Sequence, residues 1–336
     1  MATARDVAKR AGVSTSTVSH VVNGTRIVSD ELRARVTDAM HELGYEANAV
    51  ARSLKTRRSH LVALVTSDIG NPFFTSVVRG VEDVVAARGY TLILGSTGED
   101  TQREEAYLRL LGAQRIDGLI LAPAGERHAY LDRLMHTRTA FVLLDRTLEG
   151  SPAPAVVLDN VDAARMATRH LLSLGHCRIG LVAGRAGIST TTERIEGYRL
   201  ALSAAEVPFD PDLVVDGRSR LEDARRVTAR LLELPERPTA LVVANNVMTL
   251  GAVSAIEQRG LCIPGDVAVV GFDDALWADV LHPRLTTVAQ PTYELGRAAA
   301  DLLLRRIDAP EVQVPQRTAM TGRLVVRESC GAARSL

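Results

Sequence analysis

From Leu61 onward, short apolar runs rich in β-branched and aliphatic residues alternate with longer stretches of helical pattern. The runs are LVALVT, YTLILG, DGLILA, AFVLLD, AVVLD, RIGLVAG, ALVVAN and VAVVGFD. Strands that alternate with helices form a parallel sheet whose two faces are both covered. About ten strands are more than one core holds comfortably, so the pattern predicts two similar α/β lobes.

Polar side chains follow four of the predicted strands directly. They are Ser67 and Asp68, Asp145 and Arg146, Asn245 and Asn246, and Asp273 and Asp274. Any one of these pairs could simply cap a helix or form a turn. Ligands of open α/β sheets bind beyond the carboxyl ends of strands, so the four pairs together predict a polar cleft. Carboxylates and carboxamides bind vicinal hydroxyls, which fits a polyol or a sugar.

The charge of the chain is unevenly distributed. The whole sequence has 40 basic and 40 acidic residues, but residues 1–58 hold ten Lys and Arg against six Asp and Glu. The remaining part is correspondingly acidic. A basic head on an acidic body indicates nucleic-acid binding, although an excess of this size also occurs by chance.

Capping signals predict three short helices in residues 1–46. The caps are Thr3 with Asp6 for the first helix, Ser14 for the second and Ser29 for the third. Between the first two helices, Ala8, Gly12 and Val18 have the spacing of a helix-turn-helix. An ordinary three-helix bundle would satisfy the same pattern.

The second helix favours DNA binding. It begins with short polar side chains, Thr15, Ser16, Thr17, Ser19 and His20, and leaves its valines for the core. Hydroxyls and an imidazole at the start of a helix suit phosphates and base edges in the major groove. We therefore predict that this helix contacts DNA directly.

Residues 47–58 are predicted to be a hinge. Asn48 can cap a helix of about two turns that ends near Lys55, and so short a helix is marginal alone in water. We expect it to order on binding. Leu54, an apolar residue among cations, has the character of a wedge that enters the minor groove. A plain basic linker would fit the same charges.

The segments DVAKRAGVSTSTVSHVVNG and RARVTDAMHELGYEANAVARSLKT resemble the amino-terminal domain of the lactose-repressor/purine-repressor (LacI/GalR-type) family of bacterial transcription regulators. The resemblance continues to about residue 327. It implies an all-α helix-turn-helix head on an α/β, two-lobed, periplasmic-binding-protein-like (type I) core. It also implies a hinge helix that folds on the operator, and homodimers that bind pseudo-palindromic double-stranded operator DNA.

The implied domains follow from this fold. They are a helix-turn-helix domain (1–46), a hinge (47–58) and an effector-binding and dimerisation core (59–336). Lobe 1 is expected to comprise about 59–160 and 290–320, and lobe 2 about 161–288 and 321–330.

The resemblance also implies roles for residues of the head. Thr15 and Ser16 take base-reading positions, and Thr17 takes a backbone-contacting one. His20 stands where many members have arginine, so the operator sequence should differ accordingly. Leu54 coincides with an intercalating leucine. The predicted DNA-contacting residues are Thr3, Thr15, Ser16, Thr17, His20, Asn23, Asn48, Leu54 and Lys55.

For the core, the resemblance implies a set of effector-binding residues. They are Asn71, Phe73 and Phe74 in a first-lobe loop, Asp145 and Arg146, Arg194, and the closing positions Asn245, Asp273 and Gln290. The Asp145–Arg146 pair resembles members that bind pentoses. Many members have Asn-Asp where this chain has Asn245-Asn246, which removes a carboxylate. Trp277 is either a cleft wall or part of interface packing, and we favour packing.

We therefore predict a sequence-specific repressor of sugar-metabolism genes whose operator affinity is controlled by a sugar-like effector. A purine- or nucleoside-responsive corepressor-type regulator is the alternative. A solute-binding protein is disfavoured by the basic head and the missing secretory signal. An enzyme is disfavoured because GxSxG, HExxH and phosphate-loop motifs are absent.

The remaining expectations concern the environment and assembly of the chain. No apolar run approaches the length of a membrane span, and the three cysteines are widely separated. We expect a cytoplasmic protein without a cofactor, a metal or a membrane association. The last residues show no leucine heptads, so we expect a dimer and no tetramer.

Overall fold

The computed structural model describes residues 2–23, 26–45, 58–125, 129–135, 137 and 139–331. The chain divides into two compact units, Met1–Ser59 and His60–Leu336, which we call the head and the body. Within the described residues, no helix is both long enough and apolar enough to cross a membrane.

The described part of the head contains three helices, α1 (Ala4–Ala11), α2 (Thr15–Asn23) and α3 (Asp30–Glu42). The predicted caps are confirmed. Thr3 and Asp6 form a reciprocal capping box on α1, and the hydroxyl of Ser29 accepts from the Leu32 N–H at the start of α3. At α2, the Thr17 N–H donates to the Ser14 hydroxyl at 3.1 Å.

Small side chains let the helices of the head approach closely. The buried core consists of Val7, Ala8, Ala11, Val18, Val36 and Ala39. Gly12 ends α1 with a φ of 63°, a left-handed conformation that favours glycine. The guanidinium of Arg35 on α3 donates to the Ala11 carbonyl at 2.6 Å, which ties the third helix to this turn.

The body contains eight helices and twelve strands among the residues that the structure describes. The helices are α4 (Pro72–Ala87), α5 (Thr101–Ala113), α6 (Ala129–Met135), α7 (Asn160–Ser173), α8 (Ser189–Ala204), α9 (Leu221–Leu231), α10 (Asn246–Gln258) and α11 (Thr292–Asp308). The strands are β1 (Leu61–Thr66), β2 (Thr91–Ser96), β3 (Gly118–Leu121), β4 (Ala140–Leu144), β5 (Ala155–Leu158), β6 (Ile179–Ala183), β7 (Val214–Asp216), β8 (Ala240–Val243), β9 (Ala268–Phe272), β10 (Thr286–Ala289), β11 (Arg317–Met320) and β12 (Arg323–Val325).

The strands form two six-stranded sheets, one in each lobe. The order is β11-β5-β4-β3-β1-β2 in lobe 1 and β12-β10-β9-β8-β6-β7 in lobe 2. The described pairs are parallel except for β10 with β12. About ten strands were predicted and twelve are found, because β7, β10, β11 and β12 are strands of three or four residues without a long apolar run.

The chain crosses between the lobes three times. The crossings follow β5 at Asp159, follow β10 at residues 290–291, and join β11 to β12 at residues 321–322. Helix α11 therefore returns to lobe 1, where its buried face joins the core that also contains residues of α4. The carboxyl ends of the parallel strands face the space between the lobes, and this is where the polar strand ends meet.

Candidate functional site

The amino-terminal ends of α1 and α2 carry the predicted DNA-contacting hydroxyls. Thr3, Thr15 and Ser16 are exposed, whereas Thr17 and His20 are half-buried. The Ser14 hydroxyl lies 2.7 Å from the Ser16 hydroxyl and 2.8 Å from that of Thr17. Because the amino-terminal end of a helix carries partial positive charge, this surface suits an anionic backbone.

Part of the predicted DNA interface lies outside the described residues. Asn48, Leu54 and Lys55 fall in residues 46–57, and the side chain of Asn23 is likewise not described. Their roles stay predictions.

A cavity at the carboxyl ends of the strands lies between the two lobes of the body, with a volume of roughly 550 Å³ including its opening to solvent. All nine residues predicted to bind the effector line it. They are Asn71, Phe73, Phe74, Asp145, Arg146, Arg194, Asn245, Asp273 and Gln290. The structure thus brings together residues from strand ends and helix starts of both lobes.

The guanidinium of Arg146 is largely occupied by protein atoms. Its two terminal nitrogens donate to the carboxylate of Glu99 at 2.8 and 2.6 Å, and one also donates to the Pro123 carbonyl at 2.7 Å. Burial alone would raise the pKa of Glu99, but these bonds hold it below its ordinary value. Sequence analysis assigned Arg146 to the effector. In the structure it lines the cavity and its two terminal nitrogens bind Glu99, so its role towards an effector stays a prediction.

Two buried carboxyl groups face the cavity from opposite lobes. Burial raises the pKa of Asp145 to about 6, against the attraction of Arg146 and Arg194. Burial also raises the pKa of Asp273, although Arg194 and a bond from Gln290 oppose the shift. Each carboxyl therefore holds a proton more readily than an exposed one would.

Arg194 is held in one orientation by three contacts. Its Nε donates to the Asn160 side chain at 2.9 Å, and its Nη1 donates to the Ala244 carbonyl. Its guanidinium carbon lies 4.4 Å from the centre of the Phe272 ring. Burial lowers the pKa of Arg194, and the attraction of Asp273 and Asp145 opposes that shift. This fixed fork suits hydroxyl recognition.

Gln290 offers one open acceptor. Its Nε2 donates to Asp273 at 2.6 Å, while its buried Oε1 has no hydrogen-bond partner among the described residues. A buried acceptor without a partner is costly, so this atom suits a ligand hydroxyl or amine.

The aromatic part of the cavity comes from the start of α4. The rings of Phe73 and Phe74 meet edge to face, with their centres 4.9 Å apart. Asn71 caps this helix through the Phe73 N–H, and Asn245 caps α10 through the Met248 N–H. The helix caps thus bring polar atoms and an apolar face to the same cavity.

Sequence analysis missed several residues that line the cavity. They are Ser67, Asp68, Glu99, Gly184, Thr190, Thr191, Ser219 and Ala244. Ser67 and Asp68 were noted as a strand end but not selected. Glu99 follows β2 by three residues, so the same strand-end rule could have found it. Thr190 and Thr191 precede Arg194 by about one turn of α8, so helical spacing was the available signal.

Two further side chains have clear surroundings. Trp277 packs against the core of lobe 2 and is not among the cavity-lining residues, and a role in an interface stays a prediction. Asn246 is buried and lies directly beside the cavity at the start of α10. Among the described residues, no cluster of three His, Cys, Asp or Glu side chains could hold a metal ion.

A helix-turn-helix head and a two-lobed body with a polar interlobe cavity define a ligand-responsive DNA-binding regulator. Residues 3–48 match the family model described as bacterial regulatory proteins, lacI family. Residues 168–330 match the model of the periplasmic binding protein-like domain.

Individual proteins agree with these models. The HTH-type transcriptional repressor PurR of Aliivibrio salmonicida is 36% identical over 308 residues, which is 91% of this chain and 92% of that protein. A structure of the transcriptional regulator CelR with cellobiose has a TM-score of 0.73 at 34% identity and covers 98% of this chain and 100% of its own. The lac repressor dimer bound to operator and the anti-inducer ONPF has a TM-score of 0.86 at 28% identity, with 98% and 99% covered.

The chain therefore belongs to the lacI family of bacterial regulatory proteins. Its DNA-binding head and its periplasmic-binding-protein-like core make it a transcriptional regulator, as the sequence predicted.

Proposed function

We propose that this protein is a homodimeric repressor whose affinity for operator DNA is controlled by a neutral, sugar-like effector in the interlobe cavity. The DNA contacts are those of Thr3, Thr15, Ser16, Thr17 and His20 on the described part of the head. The side chains of Asn23, Asn48, Leu54 and Lys55 complete the proposed interface.

The chemistry of the cavity is the observation that carries the proposal. Asp145 and Asp273 accept hydrogen bonds, Arg194 donates them, and Gln290 has an unpartnered acceptor. Vicinal hydroxyls need both donors and acceptors at short intervals. Phe73 and Phe74 supply the apolar surface on which the carbon–hydrogen face of a sugar ring packs.

The charge of the cavity narrows the class of effector. Four acidic residues, Asp68, Glu99, Asp145 and Asp273, line it against two arginines, Arg146 and Arg194. Arg146 is already paired with Glu99 in two hydrogen bonds. A phosphate or carboxylate would therefore have Arg194 as its main cationic partner and would lie among acidic side chains of the cavity wall. We infer an unphosphorylated sugar.

A purine base or nucleoside remains the second candidate, because a relative of 36% identity is a repressor named PurR. A purine would stack on aromatic rings, and the cavity offers only the edge-to-face pair of Phe73 and Phe74 among its described lining residues. The neighbour solved with cellobiose supports the sugar.

Titration calorimetry tests the proposal directly. The full chain is titrated with pentoses, hexoses, cellobiose, purine bases and sugar phosphates. DNA sites are selected from a random library, and operator affinity is then measured with and without the ligand that binds. We expect a free sugar to bind and to change operator affinity.

The matched variants are Asp273→Ala and Asp266→Ala, because these residues stand at opposite ends of β9. We expect Asp273→Ala to lose the response to ligand while operator binding stays intact. Asp266→Ala should respond like the unaltered protein. Binding of a purine and of no sugar would select the second candidate, and failure to select any DNA sequence would overturn the regulator.

A further inference from the structure

Among the described residues outside the interlobe crossings, three sets of hydrogen bonds join lobe 2 to lobe 1 around the cavity. They run from Arg185 Nη1 to the carbonyls of Glu99 and Ala124 (2.9 and 3.3 Å), from the Thr147 N–H to Ser189 Oγ (2.9 Å), and from Asn246 Nδ2 to Asn71 Oδ1 (2.9 Å). Each would break if the lobes moved apart. Each is a bond of the protein with itself, so it favours closure whatever the cavity holds.

The bond between Asn246 and Asn71 has a fixed polarity. Asn71 Oδ1 also accepts from the Phe73 N–H at 3.0 Å, as the cap of α4. Asn246 Oδ1 accepts from the Val247 N–H at 2.6 Å, which leaves its Nδ2 to face the other lobe. Backbone donors on both sides thus determine which amide donates and which accepts.

An aspartate could not replace Asn246 in this bond. Asn246 is 1% exposed, and its backbone N–H donates to the carboxylate of Asp273 at 3.2 Å. A carboxylate at this position would face the Asn71 oxygen and stand beside Asp273. The bond between the two side chains would lose its donor, and a second buried negative charge would lie near Asp273.

We propose that Asn246 is a positioning residue that sets the equilibrium between the open and closed cleft by donating across it to the cap of α4. The effect of Asn246 on closure does not depend on the proposed function. Its effect on effector binding rests on that function, because a ligand in the cavity would also favour closure. A protein that is already biased towards closure needs less binding energy from its effector to complete the shift.

The amide of Thr147 reports on closure without any ligand or DNA. Its N–H donates across the cleft to Ser189, away from the Asn246–Asn71 bond. Its hydrogen–deuterium exchange therefore rises when the lobes open. The measurement uses the full chain alone, with residue-level mass spectrometry.

The same amide-to-carboxylate change at the two partners should give different results. Asn246→Asp should speed exchange at Thr147 by about fivefold or more, since a net hydrogen bond of typical strength is lost. Asn71→Asp keeps an acceptor for both donors and should not speed it. Gln258→Glu, an exposed position of the same helix α10, is the matched control and should behave like the unaltered protein.

Asn246→Ala removes the donor without adding a charge, and it replaces Asn246→Asp if that variant does not fold. Unaltered exchange at Thr147 in the folded Asn246 variants would overturn the proposal, and so would equal acceleration by Asn71→Asp. These readouts need neither effector nor operator. A failure of the proposed function would instead appear as absent ligand or DNA binding with the exchange pattern intact.

Discussion

At the residue scale, chemically similar side chains in the cavity acquire different properties from their surroundings. Glu99 is held in its charged form by two bonds from Arg146, whereas burial dominates at Asp145 and raises its pKa to about 6. Arg146 pairs with a carboxylate, whereas Arg194 donates to a side-chain amide and to a backbone carbonyl. The role of each ionisable group thus follows from its partners and burial, which strand-end position alone does not reveal.

Asp145 makes the stability of the body depend on pH. Its pKa is raised from 3.8 to about 6, so the folded protein binds a proton more tightly than the unfolded chain. The stability that this proton contributes is complete below pH 3.8 and is lost as the pH rises through 6. Asn at this position binds no proton, so the Asp145→Asn variant does not lose stability in this way. The free energy of unfolding of the variant minus that of the unaltered protein should therefore increase by roughly 2–3 kcal/mol from pH 4 to pH 7.

Asn suits this position because Asp145 has a φ of 66°, which Asn tolerates. Urea denaturation of the body at several pH values measures the effect. Asp274, which follows β9 in lobe 2, is the control. Burial would raise its pKa, but bonds from Arg327 hold it below 3.8, so the stability difference for Asp274→Asn should change little between pH 4 and 7. A pH-independent difference for Asp145→Asn would contradict the prediction.

At the element scale, α4 and α11 of lobe 1 cross at two glycines. A Cβ at Gly80 would lie 2.2 Å from the Tyr293 carbonyl oxygen, and one at Gly296 would lie 2.2 Å from that of Val77. Backbones approach this closely only without side chains between them. Asn71 of the cavity wall caps α4, and α11 begins directly after the chain passes back to lobe 1 at residues 290–291. The close packing of α4 on α11 therefore connects the cavity wall to that connection between the lobes.

Gly296→Ala should therefore destabilise the body by about 1–3 kcal/mol, since the helices must separate to admit a methyl group. Gly112→Ala is the matched control, because Gly112 is exposed in helix α5. There the same change should stabilise by about 0.5–1 kcal/mol through helix propensity. Urea denaturation measures both, and an unchanged or increased stability of Gly296→Ala would show that the two helices are not packed this tightly.

At the scale of the whole molecule, charge is partitioned between DNA recognition and ligand recognition. The head carries the basic excess of residues 1–58, and the cavity of the body is lined by more acids than bases. A cationic surface binds phosphates by releasing counterions, whereas a neutral ligand releases none. The two binding reactions should therefore respond differently to salt.

Raising KCl from about 50 to 200 mM should lower operator affinity by about 10³-fold or more, if each dimer contacts six or more phosphates. The affinity for a neutral sugar should change less than about twofold, because buried groups are little screened. Fluorescence anisotropy and calorimetry measure the two. A similar salt dependence of both reactions would contradict an uncharged effector.

The sequence by itself determined the elements whose causes are local. The capping box at Thr3 and Asp6, the end of α1 at Gly12 and the alternation of strands and helices depend on residues close together in the chain. Polar strand ends predicted the cavity because parallel strands end at a common edge. The nine residues predicted to bind the effector came from the resemblance of the head and core to a known family.

Tertiary structure alone decided the pairs that lie far apart in sequence. Glu99 meets Arg146 across 47 residues, and Asn71 meets Asn246 across 175. The edge strands β7, β11 and β12 likewise exist because a neighbouring strand pairs with them. The spacing of residues along the chain predicts which face of a helix or strand a side chain occupies. It does not predict which residue, distant in sequence, will form a hydrogen bond with that side chain or bury it.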